Sequence, residues 1–215
     1  MKTEEHARRF NRGAQGYATD RYPGRGQCAQ KVLDLLDPQP DDVVLDVGCG
    51  PGTQLMGLAP SIRSGYGIDP AEQMVRRATD EAAGCPNLRF YIGSAQQLPE
   101  DIRVAGINKI FSNYALHHLP DETKSDAIHG LSKLLPSGGM LVLGDLMFSD
   151  DPEEHPDLLD FSGYGPGADT PAYVSALERM FRSAGLIPTT HILNPLIGVI
   201  VGAKTQQPSE ALHKR

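Results

Sequence analysis
Two carboxylates and three closely spaced glycines are the first residues in this chain whose types and spacing could do chemistry. The run Val43-Val44-Leu45-Asp46-Val47 leads into Gly48-Cys49-Gly50-Pro51-Gly52, and Asp69 follows Gly52 by 17 residues, at the end of a second apolar stretch. Glycines at such a bend let the main chain approach a ligand with no Cβ in the way. A carboxylate at the next strand end can accept both hydroxyls of a ribose. Each half also has a plainer reading. The glycines could serve only a tight turn, and Asp69-Pro70-Ala71-Glu72 reads as a helix N-cap with a capping box. The pair at this spacing favours a nucleotide-like ligand over either. A second group is His117-His118, adjacent imidazoles that exchange protons near neutral pH, together with Asp145 in Gly144-Asp145-Leu146. Adjacent side chains diverge, so the two histidines are expected to face different ways.

The surrounding pattern supplies elements to hold these groups. Apolar runs predict strands at 42–47, 64–69, 87–93, 107–113 and 140–146. Helical periodicity marks 28–36, 70–84 and 121–135, with a short helix after the glycines. On 28–36 the apolar face is Cys28, Val32, Leu35 and Leu36; on 121–135 it is Ala127, Ile128, Leu131, Leu134 and Leu135. A helix over 171–186, closed by Gly185, precedes strands at 188–193 and 196–204 joined around Asn194-Pro195. Strands separated by helices imply right-handed crossovers and a parallel sheet covered on both faces. The closing pair has no room for a crossover and is expected to be antiparallel. Ligands in such sheets gather beyond the carboxyl ends of strands, where Asp46–Gly52, Asp69, Ser94-Ala95, Asn113–His118 and Asp145 all fall.

Bulk properties narrow the classes. The 215 residues are 40% hydrophobic and 22% charged, which is ordinary globular composition. A net charge of −7 argues against sequence-independent binding to nucleic acid. The three cysteines, Cys28, Cys49 and Cys85, are too few and scattered for a disulfide framework or zinc site. The N-terminus lacks a signal-peptide core, and the longest apolar run, 196–203, is too short to span a bilayer. A soluble, cytoplasmic protein without membrane or nucleic-acid partners, monomeric or homodimeric, is expected.

Five ordered stretches then carry a resemblance. "VLDVGCGPGT", "GYGIDPAEQMVRRA", "YIGSAQQLP", "INKIFSNYALHHLPD" and "LLPSGGMLVLGDL" are similar to the successive motifs of the class I S-adenosylmethionine-dependent methyltransferases, over roughly residues 32–146. A dinucleotide oxidoreductase is disfavoured, because the third glycine of "GCGPGT" comes too early for G-x-G-x-x-G. The resemblance implies a Rossmann-like, doubly wound α/β fold: a seven-stranded sheet, mostly parallel with an antiparallel last strand. It implies a single domain over 1–205: a helical cap at 1–40, a cofactor-binding core at 41–146, an acidic loop or lid at 147–170, and a closing helix and strand pair at 171–205. Residues 206–215 are expected to be a disordered tail.

By motif position, S-adenosyl-L-methionine would meet Asp46 and Gly48 with its aminoacyl part, Asp69 with its ribose, Pro70 and Met74 near adenine, and Asn113 at the methionyl end, with Gly50 a further cofactor-binding residue. The family often has an acid after the third strand to accept from the adenine amine; here Ser94-Ala95 stands there, and serine is a weaker acceptor than a carboxylate. Related enzymes often draw an aromatic from the N-terminal segment, making Tyr17 and Tyr22 candidates. Arg21 and Arg25 read more simply as surface residues. Similar small-molecule O-methyltransferases use a histidine after the fourth strand as base, with an acid ending the fifth. His118 or His117 is therefore the expected base, with Asp145 orienting it or touching a small-molecule acceptor. The acidic stretch ending at Asp169 contains Asp150, Asp151, Glu153, Glu154, His155, Asp157 and Asp160. It reads as a solvated loop rather than a metal site, or as a lid for a cationic acceptor hinged at residues 163–167. Non-catalytic cofactor binding and a different reaction such as cyclisation remain open alternatives.

Overall fold
A computed structural model of the chain describes residues 8, 10, 11, 22–165 and 169–205. Tyr17, Arg21 and the expected tail at 206–215 lie outside the described residues. The first labelled helix, α1 (Pro23–Leu36), begins well before Cys28. Proline at its start is pre-set for the first turn, and Gly24 is buried against Phe161 and Ile197, so this turn carries little apolar signal. Then follow β1 (Val43–Val47), α2 (Thr53–Leu58), β2 (Ser64–Asp69), α3 (Glu72–Glu81) and β3 (Leu88–Ile92). After α4 (Glu100–Arg103) come β4 (Lys109–Asn113), α5 (Asp121–Leu134) and β5 (Met140–Phe148). The chain closes with α6 (Leu159–Ser162), β6 (Ala172–Tyr173), α7 (Val174–Ser183), β7 (Leu186–Asn194) and β8 (Ile197–Lys204).

The main sheet has the order β3-β2-β1-β4-β5-β8-β7, with β8 antiparallel to both neighbours. This is the expected seven-stranded, mostly parallel sheet. The two-residue β6 adds an eighth strand beside the end of β5, through Met147 and Ala172. It occupies positions expected to be helical, so α7 starts only at Val174.

Burial explains why β1 is apolar except at Asp46: its five residues are all buried. Val43, Leu45 and Val47 pack on one face with Ile128 and Leu131 of α5 and Phe181 of α7. Val44 packs on the other face with Val32 and Leu36 of α1 and Leu55 of α2. Side chains alternate across a strand, so Asp46 ends on the same face as Val44. Strand order reverses between β1 and β4, which opens a crevice at their carboxyl ends. No helix among the described residues is long and apolar enough to cross a membrane.

Candidate active site
The glycine bend is built around that reversal. Gly48 and Cys49 donate their N–H groups to Ile68 O, at 2.8 and 3.0 Å, which folds the loop back over β2. Gly48 has φ +76°, and a Cβ there would collide with that of Ala115 in the loop after β4. Only glycine lets these two loops close. Gly50 has φ +52° and its missing Cβ faces open space. Its N–H donates to Asp69 Oδ2 at 2.9 Å, while Asp69 Oδ1 accepts from Ala71 N–H at 2.8 Å. Asp69 thus ties the bend to the turn before α3; the N-cap of that helix is Ala71, with no side-chain cap, so the expected capping box does not form. A carboxylate has about four acceptor directions, so two remain for a ligand.

Phe10, Gly48, Gly50, Asp69, Pro70, Met74, Tyr114, Ala115, His118 and Leu119 wall one cleft, with about 590 Å³ of empty space counting its open mouth. Burial pushes Asp69 above the ordinary carboxylate range, against the two N–H groups that lower it. Burial, with Asp69 nearby, pushes Asp46 well above that range. Two crowded carboxylates in such surroundings favour a cationic guest. Burial also raises the Cys28 and Cys49 thiols, so neither is a ready nucleophile.

Beside the cleft, Asn113 Oδ1 and Tyr114 Oη are buried with no hydrogen-bond partner among the described residues. Tyr114 holds a left-handed backbone, φ 52°, and Arg25 lies over its ring with the guanidinium 5.2 Å from the centroid. Arg25 is accordingly a half-buried neighbour of the site, not the surface residue expected. Ser94 and Ala95 do not wall this cleft: Ser94 forms a tight bridge with Gln97, and Ala95 packs in the core under α5. Tyr22 packs on Gly163.

The histidines depart from expectation. They lie on a 3₁₀ turn, Leu116–His118, and their ring centroids are only 3.9 Å apart. A single tight turn, unlike a strand, lets adjacent rings lean together. Asp145 grips His117 twice, at the backbone N–H (2.9 Å) and at Nδ1. His118 is the one on the cleft wall. Both approach a residue with no sequence signal of its own: Asp169 Oδ1 lies 3.1 Å from His118 Nδ1 and 3.8 Å from His117 Nε2. Burial, then the neighbouring His117, lowers His118 to about 4, so its ring is neutral near pH 7. Burial would raise Asp169, but the His118 and His117 rings hold it below the usual range.

Asp169 is pinned there by its neighbours. Thr170 donates its N–H to His117 O (2.8 Å) and its hydroxyl to His117 O and Leu119 O (3.0 and 2.8 Å). Buried Lys124 donates to Leu119 O, Thr170 O and Asp121 Oδ1, at 2.6, 2.5 and 2.8 Å. Phe10, Tyr114, Leu119 and Lys124 are further residues of this region that sequence reasoning did not single out. For Tyr114 a signal existed, its place between Asn113 and the histidines.

Comparison with known proteins decides what the cleft is for. Residues 44–139 match a family of methyltransferase domains. An uncharacterized methyltransferase of Geobacillus sp. (strain WCH70) is 31% identical over 147 residues, covering 68% of this chain and 67% of that one. The chain belongs to the class I S-adenosylmethionine-dependent methyltransferases.

Solved methyltransferases share the fold. Magnesium protoporphyrin IX methyltransferase from Synechocystis PCC 6803, with bound cofactor, superposes with TM-score 0.65 at 20% identity, over 85% of this chain and 80% of that one. Phosphoethanolamine N-methyltransferase 1 of Haemonchus contortus gives TM-score 0.74 at 15% identity, over 97% of this chain and 50% of that one. The cofactor of this methyltransferase is S-adenosyl-L-methionine. Its residues fit that group: a glycine bend without Cβ obstruction, a carboxylate with spare acceptor capacity, and buried acids suited to a sulfonium and an ammonium.

Proposed function
We propose that this methyltransferase methylates a small molecule, at a hydroxyl or amine presented to His118. The observation that carries the reading is that His118 walls the same cleft as Gly48, Gly50 and Asp69, so an acceptor against His118 lies beside the cofactor. The cofactor supplies an electrophilic methyl group on sulfur, transferred by in-line displacement. The chain's work is alignment and exclusion of water. Asp69 accepts from the ribose hydroxyls, Pro70, Met74 and Phe10 pack on the adenine side, and Asp46 faces the cationic end. His118 receives a hydroxyl proton as the acceptor attacks. His117, gripped by Asp145, is the positioning residue behind it. Asn113 and Tyr17 belong to this reading as further cofactor contacts. The net charge of −7 supports a small acceptor over a nucleic acid, and both solved neighbours are named for small-molecule acceptors.

Release of S-adenosylhomocysteine over a panel of hydroxyl and amine acceptors tests this. His118→Ala is expected to lower kcat about 100-fold or more, with cofactor affinity by calorimetry within a few fold of the parent. Full activity in both His118→Ala and His117→Ala would remove the histidines from the mechanism.

A further inference from the structure
We propose that His117 Nε2, His118 Nδ1 and Asp169 Oδ1 form a site for a divalent transition-metal ion of the zinc or cobalt kind, at the acceptor end of the cleft. The three atoms lie within 4.8 Å of one another. Such ions bind imidazole nitrogen and carboxylate oxygen at roughly 2.0–2.2 Å, which spaces ligands of one ion about 3.0–3.5 Å apart. Of the separations from Asp169 Oδ1, 3.1 Å falls within that spacing and 3.8 Å is a few tenths of an ångström beyond it. At 3.8 Å, His117 Nε2 is too distant from Asp169 Oδ1 for a good hydrogen bond.

The surroundings strengthen the assignment. Asp145 holds His117 at Nδ1, which leaves Nε2 as the ring nitrogen on the Asp169 side. A carboxylate holding the far nitrogen of an imidazole is also the usual support of a metal-bound histidine. The scaffold is firm, through the hydrogen bonds of Thr170 and Lys124 to the histidine turn. Two imidazoles and one carboxylate suit zinc-like ions better than magnesium, which prefers oxygen. Of the acidic stretch only its last residue, Asp169, takes part.

This rests on the reading of His118 as the acceptor end, and refines where the proton goes. With an ion in place, the acceptor's O–H proton passes to water in place of His118, the oxygen's electron pair forms the new C–O bond, and the C–S bond breaks with its pair leaving on the sulfur of S-adenosylhomocysteine. A hydroxyl-bearing acceptor is the class this selects.

Chelator-treated protein titrated with cobalt(II) chloride should take up one ion per chain and show visible absorption bands, displaced by zinc chloride. Asp169→Asn and His117→Ala should abolish the bands, and Asp145→Asn should weaken affinity about 10–100-fold. His155→Ala, in the exposed pair with Asp150, should leave them unchanged. Calorimetry with S-adenosylhomocysteine verifies that each variant folds. No uptake by the parent protein, or bands persisting in Asp169→Asn, overturns the site. Full methyl transfer by ion-free protein also overturns it while leaving the proposed function intact. Uptake by a protein that methylates no acceptor upholds the site and removes the function.

Discussion
At Asp69 one carboxylate accepts from Gly50 and Ala71 and still faces the cleft, so its charge state couples loop, helix and ligand. In the proposed function ribose hydroxyls donate to the ionised form, so cofactor binding is expected to lower the pKa of Asp69 and release a proton. Affinity is therefore full at high pH and falls as pH drops through the free-state value, which burial places above the ordinary 3.8. Calorimetry with S-adenosylhomocysteine from about pH 8 down to about pH 4 should show that loss, accompanied by proton release into the buffer. Asp69→Asn should weaken binding about 10–100-fold, or roughly 1.4–2.7 kcal/mol. A variant that binds like the parent would remove Asp69 from the ribose site.

At the scale of elements, Asp42 shows how the sheet holds its strands in register beneath the site. Its carboxylate accepts from Gln39 N–H, Asn108 Nδ2 and Lys109 Nζ, at 2.7, 2.8 and 2.9 Å. Its carbonyl accepts from Arg63 and Ser64, so the starts of β1, β2 and β4 meet on one residue. Burial raises the Asp42 carboxyl, but those donors outweigh it and hold it below the ordinary value. A depressed pKa gives stability that is present above the unfolded value, near 3.9, and lost as pH falls through the folded value. Asp42→Ala should cost about 2–4 kcal/mol in urea unfolding at neutral pH, with the difference shrinking below about pH 3. An equal cost at both pH values would count against the ionic account. The Leu116–His118 turn is the other informative element. A two-fold strand alternation was the wrong geometry for "LHHL", and the 3₁₀ turn is what brings both imidazoles to one carboxylate.

For the whole molecule, the cleft lies where the bend after β1 meets the loop after β4, and ligand binding there should stabilise the fold as a unit. S-adenosylhomocysteine at about 100 times its Kd should add roughly 2.7 kcal/mol. For a domain of this size that is a rise in Tm of about 5–10 °C, measurable by scanning fluorimetry and reduced in Asp69→Asn. No shift in the parent at saturating ligand would contradict cofactor binding in the cleft. Both faces of the central strands are apolar, so the molecule has two helical layers, and polar groups concentrate at the carboxyl edge where the layers part.

The sequence by itself determined the parallel core, the reversed last strand, the glycine bend and Asp69, because these depend on local pattern and on motifs a few residues long. Buried strands must read as apolar, and a close backbone approach must read as glycine. The tertiary structure alone decided that Asp145 holds His117 rather than His118, and that Asp169 closes on both rings. It also decided that Lys124 is a buried clamp rather than a surface charge. The Asp145–His117, Lys124–Thr170 and Asp169–His117 contacts join residues 28, 46 and 52 positions apart, and no local periodicity encodes a partner so distant. Only the folded loops, brought to one edge of the sheet, make them neighbours.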